Sequence, residues 1–231
     1  MGKLLNEFLL PKFTRQESLT TQEHTYQHLR YSLMIGSIEP GVSLTIRGLA
    51  EAMEVSPTPV REALKRLSAE RALQVLDNRR VVTPQMNLKR FDELIKLRIV
   101  MECHAAESVL PYVNEVQIDE LERLDQQMDM KISTNDHEST VVHNIKFHSM
   151  LYRFNPNQVV MPIIESIWLQ LGPYSRVASS ELTENYLVDH HKEAIEALRK
   201  RDASDLKQAI KSDVMDGLGN LGRRKLLLDA K

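Results

Sequence analysis

The chain has 231 residues and a formal net charge of −2, from 30 Lys and Arg against 32 Asp and Glu. At 42% hydrophobic and 27% charged it falls in the range of soluble globular proteins, with length for one or two cores. The near-neutral total excludes a surface that coats nucleic acid over its whole extent, and the single Cys103 excludes an intrachain disulfide framework. A reducing, cytoplasmic setting is expected. The opening MGKLLNEFLLPKF is interrupted by Asn6 and Glu7 and carries no small-residue cleavage site. No run reaches the roughly 18 apolar residues of a membrane span, so no membrane partner is expected.

The charge is unevenly placed. Residues 1–20 sum to +1, 21–84 to +1 and 85–231 to −4. The positive side chains of the first part cluster between Pro57 and Leu67 and again at Arg79–Arg80. Short β-type runs, Leu73–Leu76 and Val81–Thr83, flank the polar tetrad Asp77-Asn78-Arg79-Arg80 and read as a hairpin. Beyond Asn87 the period is helical, with breaks expected near Pro111, Ser133–Asp136, Pro156 and Gly172–Pro173. The chain is therefore divided into an N-terminal tail over 1–20, a first domain over 21–86 and a second over 88–231.

In the first domain, Thr20-x-x-Glu23 is a capping-box signal, followed by the stripe Tyr26, Leu29 and Leu33. Gly36 ends that helix, and Glu39-Pro40-Gly41 turns the chain. Thr45 caps a second helix with Ile46, Leu49, Ala50 and Met53 on one face. Ser56 caps a third, where Pro57 fits the first helical position because no donor is needed there. Two helices joined so tightly make a helix-turn-helix. If Val60, Ala63, Leu64 and Leu67 face inward, Thr58, Arg61, Lys65 and Arg66 face outward. An outward helix N-terminus with Thr and Arg suits the major groove, since its amides favour phosphate and Arg spans guanine O6 and N7. The hairpin supplies a wing whose Arg79 and Arg80 reach toward phosphate or the minor groove. Each piece alone also fits a plain three-helix domain with solvated charges. The ordered series favours DNA binding.

The segment TIRGLAEAMEVSPTPVREALKRLSAERAL followed by NRRVV resembles the winged helix-turn-helix of GntR-type bacterial transcription regulators. The resemblance implies operator contacts at Arg47, Ser56, Thr58 and Arg61, with the wing tip near Asp77–Arg80 at the minor groove. Three positions depart from the family pattern: Pro57 stands where Arg is usual, and Arg71 and Arg80 stand where Gly is usual. Loss of the Arg at 57 implies a different operator sequence. The fold is unaffected, because Pro fits there.

Six helices are predicted in the second domain, at 88–110, 115–133, 138–155, 157–171, 182–200 and 203–227. Polar residues interrupt their apolar stripes. Asn144 and His148 lie in line with Val141, Ile145 and Leu151. His191 shares a face with Leu187, Ala194, Ile195 and Leu198, and Asp213 with Leu206, Ile210, Val214, Gly217 and Leu221. Imidazole and carboxylate groups converging from bundle helices suit a divalent metal, although a His on an apolar face is more often a hydrogen-bonded core residue.

This second domain resembles the FCD effector domain of the FadR branch of GntR regulators, through NIKFH, HKEAIEALRKRD and the last helix. The resemblance implies a metal held by Asp and three His, for which Asn144, His148, His191 and Asp213 stand here. The acid has in effect moved from the first position of the set to the last. Zinc, nickel and manganese are not distinguished. The six-helix count points to the VanR-like subgroup. Arg98 shares a face with Phe91, Leu94, Ile95, Glu102 and Ala105, either as an i,i+4 partner of Glu102 or as the cation that holds an effector carboxylate. Trp168, Tyr174, Arg176 and Tyr186 are candidates to line the same cavity.

The expectation is a mainly α protein, an N-terminal winged helix-turn-helix with a C-terminal all-helical, FCD-like bundle. It is read as a regulator that binds double-stranded operator DNA as a homodimer and answers to a small carboxylate. No catalytic residues are assigned. The alternative is a metal-dependent enzyme acting on a small carboxylate, but His137-Glu138 has Val141 where a second zinc-binding His would stand, and no G-x-S-x-G elbow or P-loop occurs.

Overall fold

The protein is described from a computed structural model, which covers residues 10–15, 18–77, 80–134, 137–179 and 190–229. Contacts divide the chain into two units. One holds Met1–Asn87 and Trp168–Val177, the other Leu88–Ile167 and Ala178–Lys231.

In the first unit, α1 (Thr21–Met34) begins where Thr20 Oγ1 accepts the Glu23 N–H at 3.2 Å, and it buries Tyr26, Leu29 and Leu33. Gly36 leaves it with φ +74°, a conformation without Cβ cost in glycine alone. Strand β1 (Ser43–Leu44) precedes α2 (Ile46–Ala52), which Thr45 caps through the Gly48 N–H. Then α3 (Pro57–Ala69) buries Val60, Ala63, Leu64 and Leu67 and packs on α1. Strands β2 (Gln74–Val75) and β3 (Val81–Val82) complete an antiparallel sheet in the order β1-β3-β2, a small wing. β1 was not expected, because two residues carry no readable period. Its place is set by Thr83, whose Oγ1 donates to Glu39 O and accepts from Val42 N–H. Ahead of α1, the Phe13 ring stacks on His28 at 5.3 Å, and the His28 ring lies 2.8 Å from Pro11 O.

The second unit is built from α4 (Leu88–Glu107), α5 (Glu115–Ser133), α6 (His137–Tyr152), the first part of α7 (Met161–Ser179), α8 (His191–Lys200), α9 (Ala203–Val214) and α10 (Asn220–Asp229). α5 packs on α6 and α8, and α9 packs on α4 and α8. The pairing brings the interrupted apolar stripes of α5, α6, α8 and α9 to one core. Mainly helical architecture with a small wing sheet is thus the observed fold.

Two expectations need correction. No break occurs at Gly172–Pro173: α7 runs through Pro173. A proline inside a helix costs about 3 kcal/mol. Burial of Trp168, Leu169, Leu171 and Tyr174 offsets this, since each large apolar side chain contributes about 1.5–3 kcal/mol. The final helix, expected as one piece over 203–227, is interrupted by a π-helical turn, Met215–Gly219, where Gly217 takes a non-helical ψ of −109°. Apolar periodicity continues across that turn, which is why the sequence does not reveal it. Among the described residues no helix is long and apolar enough to cross a membrane.

Candidate metal centre and nucleic-acid interface

Arg47, Ser56, Thr58, Arg61 and Lys65 are all exposed, on α2 and on the face of α3 opposite its buried stripe. Ser56 makes no side-chain cap bond, so its hydroxyl is not spent on the α3 amides. Arg66 is exposed as well, and it is also engaged within the domain. Its Nη1 lies 2.9 Å from Glu23 Oε2, and its guanidinium stacks 3.5 Å from the Tyr26 ring centroid. Tyr26 in turn donates to Glu70 at 2.5 Å; burial first, and then that carboxylate, pushes its phenol pKa up to about 12. These groups tie α3 to α1. Arg80 is exposed beside β1, with Nε 3.4 Å from Ser43 Oγ. Arg79 lies outside the described residues.

In the second unit, His148 on α6, His191 at the first turn of α8 and Asp213 at the end of α9 are brought together. One donor atom from each lies within 4.8 Å of the others, and all three residues are buried. His148 Nε2 is 3.0 Å from Asp213 Oδ2, and His191 Nε2 is 3.6 Å from Asp213 Oδ1. Asn144 is half-buried and approaches His191 Nε2 with its amide at 3.5 Å. Burial raises the Asp213 pKa, but the charge and hydrogen bond of His148, then His191 and Arg98, outweigh it and hold the carboxyl well below the usual range. Asp213 is therefore an anion inside the bundle.

Arg98 is buried on α4, with Nε donating to Glu102 Oε1 at 2.6 Å. Glu102 Oε2 accepts from the Tyr152 hydroxyl at 2.7 Å, and the Tyr152 hydroxyl oxygen lies 3.0 Å from His148 Nδ1. Burial depresses the Arg98 pKa, yet Glu102 and Asp213 carry it above the ordinary value, so the guanidinium stays charged. Trp168 and Tyr174 are grouped with the first unit, whereas Arg98 belongs to the second. Tyr186 and the Arg176 side chain lie outside the described residues.

Two residues of this centre escaped the sequence reading. Asp125 on α5 meets His191 Nδ1 at 2.8 Å, and Tyr152 meets His148. Both were legible by the rule that found His148. Asp125 falls in the buried stripe Ile118, Leu121, Met128, and Tyr152 is four residues beyond His148.

Comparison with known proteins bears directly on this arrangement. The family model for the FCD domain matches residues 93–214, and that for bacterial regulatory proteins of the gntR family matches 21–82. The chain belongs to the proteins that carry an FCD domain, and its N-terminal part matches the gntR family of bacterial regulatory proteins. The chain is 28% identical over 190 residues to the HTH-type transcriptional regulator McbR of Escherichia coli (strain K12), covering 80% of this chain and 84% of that protein. It is 26% identical over 206 residues to the gluconate operon transcriptional repressor of Bacillus subtilis (strain 168), covering 84% and 83%. The solved structure of E. coli McbR superposes with a TM-score of 0.82 at 23% identity, over 89% of this chain and 99% of that one. That likeness extends to both units' folds.

Proposed function

We propose that this GntR regulator binds a palindromic operator as a homodimer and that a small carboxylate, taken up in the FCD domain, alters operator affinity. The observation that carries the DNA reading is the exposed set Arg47, Ser56, Thr58, Arg61 and Lys65 on and beside α3, with Arg80 on the wing. Paired recognition helices address half-sites about 34–36 Å apart on one face of the duplex. Arg61→Ala is expected to weaken operator binding by about 1–3 kcal/mol, roughly 5- to 150-fold, and to flatten its salt dependence. A gel-shift titration at two salt concentrations reads both effects, and unchanged affinity with unchanged slope would sink the assignment.

The effector reading rests on Arg98 and the His148–His191–Asp213 cluster. A divalent metal fits the donors: imidazole and carboxylate groups suit zinc, nickel or manganese, and the 3.0 Å separation falls among the roughly 3.0–3.4 Å edges around an ion with ligands at about 2.1 Å, the 3.6 Å one being slightly longer. His148, His191 and Asp213 would hold it, with Asn144 as a fourth, weaker ligand. The ion supplies positive charge for an effector carboxylate. Arg98, charged and buried with Nε on Glu102, would supply a second cation for the same class of ligand. Metal analysis of the purified protein beside its His148→Ala/His191→Ala variant is expected to show bound divalent ion only in the former. Equal content in both rejects the site.

The relatives named above are transcription regulators, which supports regulation over the enzymatic alternative. The repressor among them supports a repressing role here. With the kinked 203–229 run taken as one helix, six helical rods follow Leu88 among the described residues, which supports the VanR-like subgroup. A cytoplasmic site of action agrees with the single Cys103, half-buried with its thiol pKa raised by burial and then Glu102, and so chemically quiet.

A further inference from the structure

We propose that Asp125, and Tyr152 together with Glu102, are positioning residues that keep Nδ1 of His191 and of His148 as the proton donor, so that both Nε2 atoms are presented to Asp213. The inference rests on the metal reading above but makes a separate claim.

A carboxylate accepts hydrogen bonds and donates none. Asp125 Oδ1, buried and 2.8 Å from His191 Nδ1, therefore requires the proton on Nδ1. The lone pair then lies at Nε2, on the side of Asp213 and Asn144. The ring plane is fixed as well. Phe147 stacks on His191 with centroids 3.7 Å apart and an 11° tilt.

The same result is reached at His148 by a longer route. Arg98 holds Glu102 as an anion, so the single hydroxyl proton of Tyr152 goes to Glu102 Oε2. The Tyr152 oxygen is left as an acceptor, and His148 Nδ1, at 3.0 Å, must donate to it. His148 Nε2 then faces Asp213 Oδ2 at 3.0 Å, where a second proton bridges ring and carboxylate in the metal-free protein and a metal ion would take that proton's place. Two imidazoles on two helices are thus turned the same way by unrelated partners on α5, α6 and α4. In metalloproteins such outer partners fix ligand orientation and raise ligand basicity, and their loss typically weakens metal binding about 10- to 100-fold.

The test uses full-length, chelator-treated protein and zinc ion as the probe, in wild type, Asp125→Asn and Tyr152→Phe. Competition titration is expected to show zinc affinity lowered about 10- to 100-fold in each variant. Circular dichroism confirms that each remains folded. Imidazole 15N NMR of metal-free protein in mildly alkaline buffer supplies a signature that a merely structural role would not move. Wild-type His191 is expected as the Nδ1–H form, with Asp125→Asn shifting it toward the other tautomer. Wild-type zinc affinity in both folded variants overturns the positioning role. If wild type binds no zinc, the metal reading fails by itself, and the NMR result decides the tautomer claim alone: an Nε2–H His191 rejects it and an Nδ1–H His191 upholds it.

Discussion

Asp213→Ala is expected to lower the stability of the metal-free protein by about 3–5 kcal/mol, because it leaves buried His148 without its anion. His148 is wholly inaccessible to solvent and its Nε2 lies 3.0 Å from the Asp213 carboxylate. Removing both charges together would cost far less than removing one. The same carboxylate makes a pH signature. Its folded pKa lies below the ordinary carboxylate value, so it contributes stability that is present above that value and is lost as pH falls beneath it. Thermal melts across an acid series should therefore show wild type losing more stability on acidification than Asp213→Ala, which has already lost that contribution. Parallel curves, or a loss under about 1 kcal/mol at neutral pH, would mean that the pair contributes no more than a surface ion pair.

Gly172→Ala is the second large effect. A Cβ at this position would meet Leu33 O, Met34 O at 2.7 Å and Met34 Cα at 2.9 Å, all of them backbone atoms at the end of α1. Flexible side chains can turn aside from such a clash, but backbone cannot. Replacing a helical glycine by alanine ordinarily stabilises by about 1 kcal/mol. Here overpacking, at about 3 kcal/mol or more, outweighs that gain. For a chain of this size the net loss corresponds to a melting temperature lower by roughly 4–8 °C. Differential scanning calorimetry of the two proteins measures it, and a variant as stable as wild type would show that α1 and this stretch of α7 do not pack closely.

The periodic parts of the molecule could be read without coordinates. Thr20, Thr45 and the stripe of α3 marked the helix starts and the buried face, because capping and amphipathicity act over a few residues and leave a local pattern. His148, His191 and Asp213 were found as polar residues in apolar stripes, and the structure buries all three in one cluster. Other features left no such pattern. β1 is two residues long and exists through pairing with β3, some forty positions away in the chain. Pro173 reads as a helix breaker until the burial around it is known, and the turn at Gly217 lies within an unbroken apolar period.

Charge shows the division most clearly. The total of −2 excluded a surface basic throughout, and the clustering of Arg and Lys near α3 was visible in the sequence. Which of those charges also meet partners within the domain was not. Arg61, Lys65 and Arg66 are all exposed, and Arg66 alone of the three also stacks on Tyr26 and meets Glu23, forty-three positions earlier. By itself the sequence determined the helices, their inward faces and the candidate donors, since those follow from residue type and spacing. Only the tertiary structure decided the partner of each polar group, because hydrogen bonds such as Asp125 to His191 join residues from separate helices whose packing no local period encodes.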